Sequence, residues 1–184
     1  MSYNVPSFTE NNFSFGPGIL KVGAAGATPT VDVGAIVEDG ITITKKSAKK
    51  MIKQGNPKIG VYAFAQEVGA EVDFVGIEWN LNTLPYAIGA GNTTSSGSAD
   101  TFAFGGDPLV KQVAISIQHE MAVTGHTLDV YVWKAVSAQD DMAIKLGADE
   151  HQFPRKYSAL RSATDWAGGA LPKTERILKI VRTK

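Results

Sequence analysis

The residues whose chemistry could serve catalysis or metal binding are few and widely separated. The histidines are His119, His126 and His151. The chain has no cysteine, which excludes a thiolate metal site, a disulfide framework and a cysteine nucleophile. If residues 124–125 form a two-residue turn, His126 pairs with Val123 and His119 pairs with Val130, and no third ligand is placed beside them. A metal site needs three or four converging donors, so we predict no metal ion and no other cofactor.

The serines and glycines also lack the spacing of a catalytic or phosphate-binding motif. No Gly-x-Ser-x-Gly segment places a serine on a strained turn. The pairs Gly16/Gly18 and Gly89/Gly91 have the G-x-G spacing, but no third glycine follows where a phosphate-binding helix would open. We therefore predict that the protein is not an enzyme.

Three carboxylates, here called the acidic triplet, lie along a predicted strand that begins at Val61. They are Glu67, Glu71 and Asp73. The apolar residues of this strand change parity near residues 66–67, which predicts a β-bulge there and puts the triplet on one face with Gly69. Catalytic carboxylates usually need apolar walls that perturb one of them, and no such walls are visible. We interpret the triplet as an exposed acidic face, which could line a water-filled channel.

The most unusual stretch is the lysine segment, residues 45–58, which we predict to be a long loop between two strands. It contains six of the chain's fourteen lysines, namely Lys45, Lys46, Lys49, Lys50, Lys53 and Lys58. Loops of this length are uncommon in a compact domain unless they are functional. The segment could be merely solvated, could bind DNA, or could contact an acidic patch on another copy. It lacks arginine and aromatic residues, which argues against DNA, and we favour contact between copies.

Length and charge narrow the class of protein further. A chain of 184 residues fits one domain with an arm. Eighteen basic and eighteen acidic residues cancel. This argues against a dedicated nucleic-acid binder and permits self-association, because copies do not repel one another at long range. Neither a secretory signal nor an apolar run long enough to span a bilayer is visible, so we predict a protein made in the cytoplasm with no membrane partner.

Periodicity and turn residues predict a mainly β chain. We expect an N-terminal arm at residues 1–30 with one short strand near residues 18–22, then a single β-sandwich domain at residues 31–184. A short helix has its N-cap at Asn82 and stops at Gly89. The other predicted elements are a strand at residues 41–44, a flexible loop at 91–101, a hairpin with strands at 113–121 and 128–132, an edge strand at 153–160 and a last strand at 176–182. Residues 137–148 fit a helix or a strand.

The order of these elements resembles that of the tail tube (major tail) proteins of long-tailed bacteriophages. The likeness begins with FGPGILKV at residues 15–22, AAGATP at residues 24–29 and VGAIVEDGITI at residues 33–43. It continues through the lysine segment, the long strand and the helix at residues 82–88. It ends with HQFP at residues 151–154, then Tyr157, Leu160 and the last strand, so it covers roughly residues 15–182.

The resemblance implies two packed antiparallel sheets flanked by a short helix. Members of that family form hexameric rings whose inner sheets join around a lumen, and the rings stack into a tube that conducts the genome. It also implies a place in the virion tail after assembly in the host cytoplasm. The implied partners are further copies of the chain, tail tip or baseplate proteins and terminator proteins, while DNA passes through the lumen without specific binding. We therefore expect the six lysines to contact neighbouring subunits and the acidic triplet to face the lumen.

Two other classes of protein remain open. The first is another β-sandwich virion module, such as a decoration, baseplate or tail-terminator protein. The second is a carbohydrate-binding module, which would need exposed aromatic residues clustered at one edge. The tryptophans Trp79, Trp133 and Trp166 are scattered along the sequence and do not favour this second class.

Overall fold

The computed structural model describes residues 18–105, 109–139, 141 and 151–183. Strands account for 59% of the described residues and helical turns for 7%. The strands are β1 (Ile19–Ala24), β2 (Val31–Asp32), β3 (Ile36–Gln54), β4 (Ile59–Gly76), β5 (Asn92–Ser96), β6 (Ala99–Ala103), β7 (Gln112–Glu120), β8 (Thr127–Ser137), β9 (Phe153–Ala159) and β10 (Lys179–Thr183). The helical pieces are two 3-10 turns, Leu81–Thr83 and Lys173–Glu175, and the helix α1 (Leu84–Ile88).

One large antiparallel sheet contains eight of the described strands. Its order is β2-β1-β7-β8-β9-β4-β3, and β10 pairs with the part of β8 that β9 leaves free. Strands β5 and β6 form a separate two-stranded sheet. Ile41 and Ile43 of β3, at one end of the order, line a groove together with Ile117 of β7 and Val130 of β8. The large sheet therefore curls until its strands face each other. The predicted mainly β fold with antiparallel sheets and a short helix is confirmed.

The core lies between these facing strands and follows from alternating apolar residues. In β7, Val113, Ile115 and Ile117 point inward and are almost completely buried. The other members of the cluster come from β1, β4, β8, β9 and the segment after β2, and are Leu20, Val22, Val33, Val72, Phe74, Val130, Val132, Ala135 and Tyr157. Complete burial of one large apolar side chain contributes about 1.5–3 kcal/mol, so this cluster holds the sheet in its curled form.

The predicted strand near residues 18–22 is confirmed as β1, which lies between β2 and β7. Leu20 and Val22 of this strand are fully buried, so this part of the predicted arm docks on the chain's own core. Residues 1–17 of the arm lie outside the described residues. So does most of the segment at residues 137–148, for which helix and strand were both open.

Two segments predicted to be loops are strands. The lysine segment continues β3, and each residue from Ile41 to Gln54 has a partner on β4. Its lysines hide the apolar alternation on which a strand prediction relies, whereas backbone pairing with β4 does not depend on side-chain polarity. The stretch at residues 91–101 was predicted to be flexible, but its threonines and serines pair as the β5-β6 hairpin.

The predicted edge strand at residues 153–160 is also wrong, because β9 lies between β8 and β4. Lys156 O accepts a hydrogen bond from Ala138 N at 2.8 Å, so the backbone N–H and C=O groups of Lys156 point away from β4. Pro154 has the same parity and directs its nitrogen to the same side. Opposite Pro154, β8 has already ended at Ser137. The missing N–H of Pro154 therefore removes no hydrogen bond between β8 and β9.

The β7-β8 hairpin is confirmed, but its register differs from the prediction. Met121 N donates to His126 O at 3.1 Å and His126 N donates to Val123 O at 3.0 Å. The connection is therefore longer than a two-residue turn, and His119 pairs with Leu128 rather than with Val130.

The short helix is confirmed in position, with a different cap. Asn80 Oδ1 accepts from Asn82 N at 3.1 Å, so Asn80 rather than Asn82 caps the 3-10 turn that precedes α1. Gly89 ends α1 with a φ of 73°, the left-handed conformation that glycine adopts without strain. The completely buried Thr83 accepts a hydrogen bond from Arg155 Nη2 at 2.8 Å. This bond connects the helical segment to β9.

Tyr157 gives the core a pH-dependent stability that can be measured. Burial raises the pKa of its phenol to about 12 from an ordinary 10.0, and the charge of Arg155 offsets part of this rise. Below pH 10 both the folded and the unfolded chain keep the phenolic proton. Above pH 10 the unfolded chain loses it first, so the stability that this group contributes falls as pH rises towards 12.

We expect the wild type to lose about 2 kcal/mol of unfolding free energy between pH 10 and pH 12 relative to Tyr157→Phe, because most of a two-unit pKa difference at 1.36 kcal/mol per unit is expressed in this range. Urea unfolding of both proteins across this range measures the difference. Parallel stability curves for the two proteins would contradict the buried, protonated phenol.

Candidate assembly surface

The lysine segment and the start of β4 form a projecting hairpin, residues 45–68, which extends beyond the core. Every residue from Lys45 to Val68 is exposed, whereas Ala70, next along β4, is buried. The ten residues of β3 from Lys45 to Gln54 extend about 33 Å at the usual rise of a strand. A two-stranded ribbon of this length has no core of its own, and such ribbons are marginal in water without a packing partner.

The predicted bulge in β4 is confirmed and sets the faces of the hairpin. Ala48 pairs with Glu67, but Lys49 pairs with Ala65, which leaves Gln66 as the extra residue. The bulge absorbs the parity change of β4, so Ala63 and Ala65 before it share a face with Val68 and Ala70 after it.

Large apolar side chains are exposed on both faces of the hairpin's outer half. We call this set the apolar tip; it consists of Met51, Ile52, Ile59, Val61, Tyr62 and Phe64. On one face Ile52 pairs with Tyr62, and the ring centroids of Tyr62 and Phe64 are 6.3 Å apart. On the other face Met51 pairs with Ala63. Tyr62 is 63% exposed and Met51 57%, and contiguous apolar exposure of this kind marks an interaction surface.

The hairpin is strongly basic and the rest of the chain is acidic. All six lysines of the lysine segment lie on the hairpin, and residues 45–66 contain no aspartate or glutamate. Glu67 at the base is the hairpin's one acidic residue, so the hairpin carries a formal charge of +5, and the remainder, with twelve basic and seventeen acidic residues, carries −5. The zero net charge conceals this separation, which favours head-to-tail attraction between copies.

Strand β3 is both the longest strand and the end of the sheet order. Within the described residues it pairs with β4 alone, so its other edge presents unpaired backbone groups. A long exposed edge is a template for pairing with another chain. At the opposite end of the order, β2 has two residues.

The acidic triplet shares one face of β4, as predicted, and this face points away from the core residues Ala70, Val72 and Phe74. The structure also brings two lysines to it. Lys46 Nζ lies 3.0 Å from Glu71 Oε2, and Lys156 Nζ lies 3.1 Å from the same oxygen. Lys156 Nζ is also 3.9 Å from Asp73 Oδ1. The face that carries the three predicted carboxylates therefore also carries two ammonium groups, which the sequence did not place there.

Hydrogen bonds from Lys46 and then Lys156 lower the pKa of the Glu71 carboxyl below 4.5. We expect Lys46→Met and Lys156→Met each to raise that pKa, because each variant removes a hydrogen bond and a positive charge from the carboxylate. An NMR titration of the Glu71 side-chain carbonyl in dilute protein measures both shifts. An unchanged pKa in both variants would show that the lysines do not hold this carboxylate.

Two of the three tryptophans come together in the fold. The ring centroids of Trp133 and Trp166 are 4.9 Å apart, and Tyr131 packs on both rings. Trp133 is 8% exposed and donates to Glu175 O at 2.8 Å, so the cluster fastens the C-terminal segment over β8. The tryptophans are thus less scattered than the sequence indicates. Trp133 is buried and inaccessible to a sugar, whereas Trp166 and Tyr131 are half-buried.

Among the described residues, no three histidine, aspartate or glutamate side chains converge as metal ligands do. His119 Nδ1 lies 3.0 Å from the carbonyl oxygen of its neighbour Glu120. No helix in the same part of the chain approaches the length and apolar character needed to cross a bilayer. The projecting hairpin and the β3 edge are therefore the features on which a functional argument can rest.

Neither the known protein families nor the characterised proteins provide a match to this chain.

Proposed function

We propose that this protein is a structural subunit of a bacteriophage tail tube, which polymerises into stacked hexameric rings. The observation that carries the proposal is the projecting hairpin, which exposes apolar side chains on both faces and concentrates six positive charges. A hairpin with this surface is stable in water only when another surface covers it. Further copies of the chain are the simplest partner, because the rest of the same chain has the opposite charge.

Ring closure follows from the edge of β3. Pairing of this edge with a strand of the next copy would continue the sheet from subunit to subunit, and closing the ring would remove every free edge. The hairpin then projects from the ring towards the next one. Stacked rings of this kind form a tube that conducts the genome in the virion tail, in agreement with the family that the sequence resembles.

The mixed charge of the β4 face refines the role proposed for the lumen. Three carboxylates and two lysines leave that face with a charge of −1 in each subunit. A weakly negative wall repels DNA phosphates slightly and releases few of the cations condensed on the DNA, so the duplex passes without being bound. Tail tip or baseplate and terminator proteins would cap the two ends of the tube.

Negative-stain electron microscopy of the concentrated protein tests the proposal. We expect tubes or six-fold rings with a central channel. Single compact particles at every concentration would reject the tube and favour a decoration, baseplate or carbohydrate-binding module instead.

A further inference from the structure

A groove at the mouth of the curled sheet has an apolar floor and an acidic rim. It lies between the first residues of β3 and the adjoining ends of β7 and β8 and has a volume of about 460 Å³. Its lining is Glu38, Asp39, Gly40, Ile41, Ile43, Ile117, His119, Leu128 and Val130. Glu38 and Asp39 are exposed at its border, whereas Ile117 and Val130 are buried beneath it. We call it the acidic-rimmed groove.

The chemistry of this groove complements the apolar tip. The tip has aromatic side chains among lysines and no acid, and the groove has an aliphatic floor behind two carboxylates. Two other recesses fit less well, because lysine side chains line them. The recess beside β10 is lined by Lys45 and Lys173, and the recess below Phe104 is lined by Lys111. Opposite charges set the register and the encounter rate of an interface, while like charges oppose it.

The tip cannot occupy the groove of its own molecule. Ile43 lies in the groove and Met51 begins the tip, and the seven residues between them are paired, extended strand. The eight residue steps along the strand from Ile43 to Met51 place the groove and the tip about 26 Å apart. A tip that enters such a groove must therefore come from a second copy.

We propose that the projecting hairpin of one copy inserts Tyr62 and Phe64 into the acidic-rimmed groove of the next copy, with its lysines against Glu38 and Asp39. This contact rests on the proposed self-assembly and assigns its acceptor. Donor and acceptor are different surfaces of the same chain, so the interface is heterologous and propagates without limit unless the rotation closes. Such an interface suits stacking from ring to ring.

Cross-linking between two single-cysteine variants tests the contact, because the chain has no native cysteine. Tyr62→Cys protein is mixed with Leu128→Cys protein of distinguishable mass, assembled and oxidised. We expect a disulfide-linked heterodimer as the main product. The matched control pairs Tyr62→Cys with Phe104→Cys, whose position is 68% exposed and lies outside the groove. Cross-linking to Phe104→Cys equal to or greater than that to Leu128→Cys would overturn the assignment.

A charge exchange tests the same contact without cysteine. Glu38→Lys with Asp39→Lys should raise the concentration needed for assembly about tenfold, as expected for exposed charges that contribute to an interface. Adding Lys50→Glu and Lys53→Glu to that variant should restore assembly. Circular dichroism checks that each variant is folded, and absence of rescue in folded protein would contradict the pairing.

The outcomes also separate this inference from the proposed function. If the wild type forms tubes but the Tyr62→Cys and Leu128→Cys variants do not cross-link, the groove assignment is wrong and the proposed tube is unaffected. Absence of any wild-type assembly would remove both.

Discussion

Replacing Ile52, Tyr62 and Phe64 together with serine is expected to abolish assembly and to leave a folded monomer. These side chains share one face of the apolar tip and make no contact with the core cluster. Burying each of them at an interface contributes about 1.5 kcal/mol or more. Loss of all three should therefore weaken each contact about a thousandfold, since 1.4 kcal/mol corresponds to a factor of ten. Sedimentation velocity measures the loss of assembly.

The control removes a similar exposed apolar area elsewhere on the chain. Phe104, Leu109 and Val110 are 68%, 74% and 61% exposed, and their replacement by serine should leave tubes intact. Thermal unfolding should show little change for the tip variant, because substitutions at exposed positions usually change stability by about 0.5 kcal/mol or less. Tubes formed by the tip variant at wild-type concentrations would mean that the tip is not an interface.

Reversing the charge of Lys45, Lys46, Lys49 and Lys50 to glutamate is expected to block tube growth while the fold remains. The hairpin would change from +5 to −3, and the rest of the chain would remain at −5. Attraction between copies would become repulsion, which lowers the rate of encounter before it affects any contact. Light scattering during assembly measures the rate.

The matched variant replaces the same four lysines with arginine and keeps the charge. It should assemble at nearly the wild-type rate, and rising salt should slow the wild type and the arginine variant alike. Lys46 also pairs with Glu71, so Lys46→Glu alone should be made as a local control. Unimpaired growth of the fourfold glutamate variant would rule out an electrostatic role for the hairpin.

The sequence predicts those parts of the fold that leave a periodic or conformational signal. The parity change before Val68 located the bulge at Gln66, and the apolar alternation in β7 located the core. Gly89 was recognisable because a helix C-terminus favours the left-handed conformation. These are local signals, and they remain valid whatever the rest of the chain does.

Other parts depend on which distant segments meet, and they were missed for that reason. Lys156 is more than eighty residues from Glu71 in sequence, and it reaches the acidic triplet because β9 pairs with β4. The same pairing makes β9 an interior strand despite Pro154. The lysine segment has a loop-like composition and becomes a strand through its partner β4. For the candidate site, the sequence thus indicated the residues but not their partners.

The central claim is that copies of the chain pack around the projecting hairpin. An electron cryomicroscopy reconstruction of the assembled protein measures this arrangement directly. We expect six copies in a ring, the edge of β3 paired with the next copy, Glu67, Glu71 and Asp73 facing a central channel, and the hairpin seated on the adjacent ring. A reconstruction with those carboxylates on the outer wall, or with the hairpin free in solvent, would contradict the account.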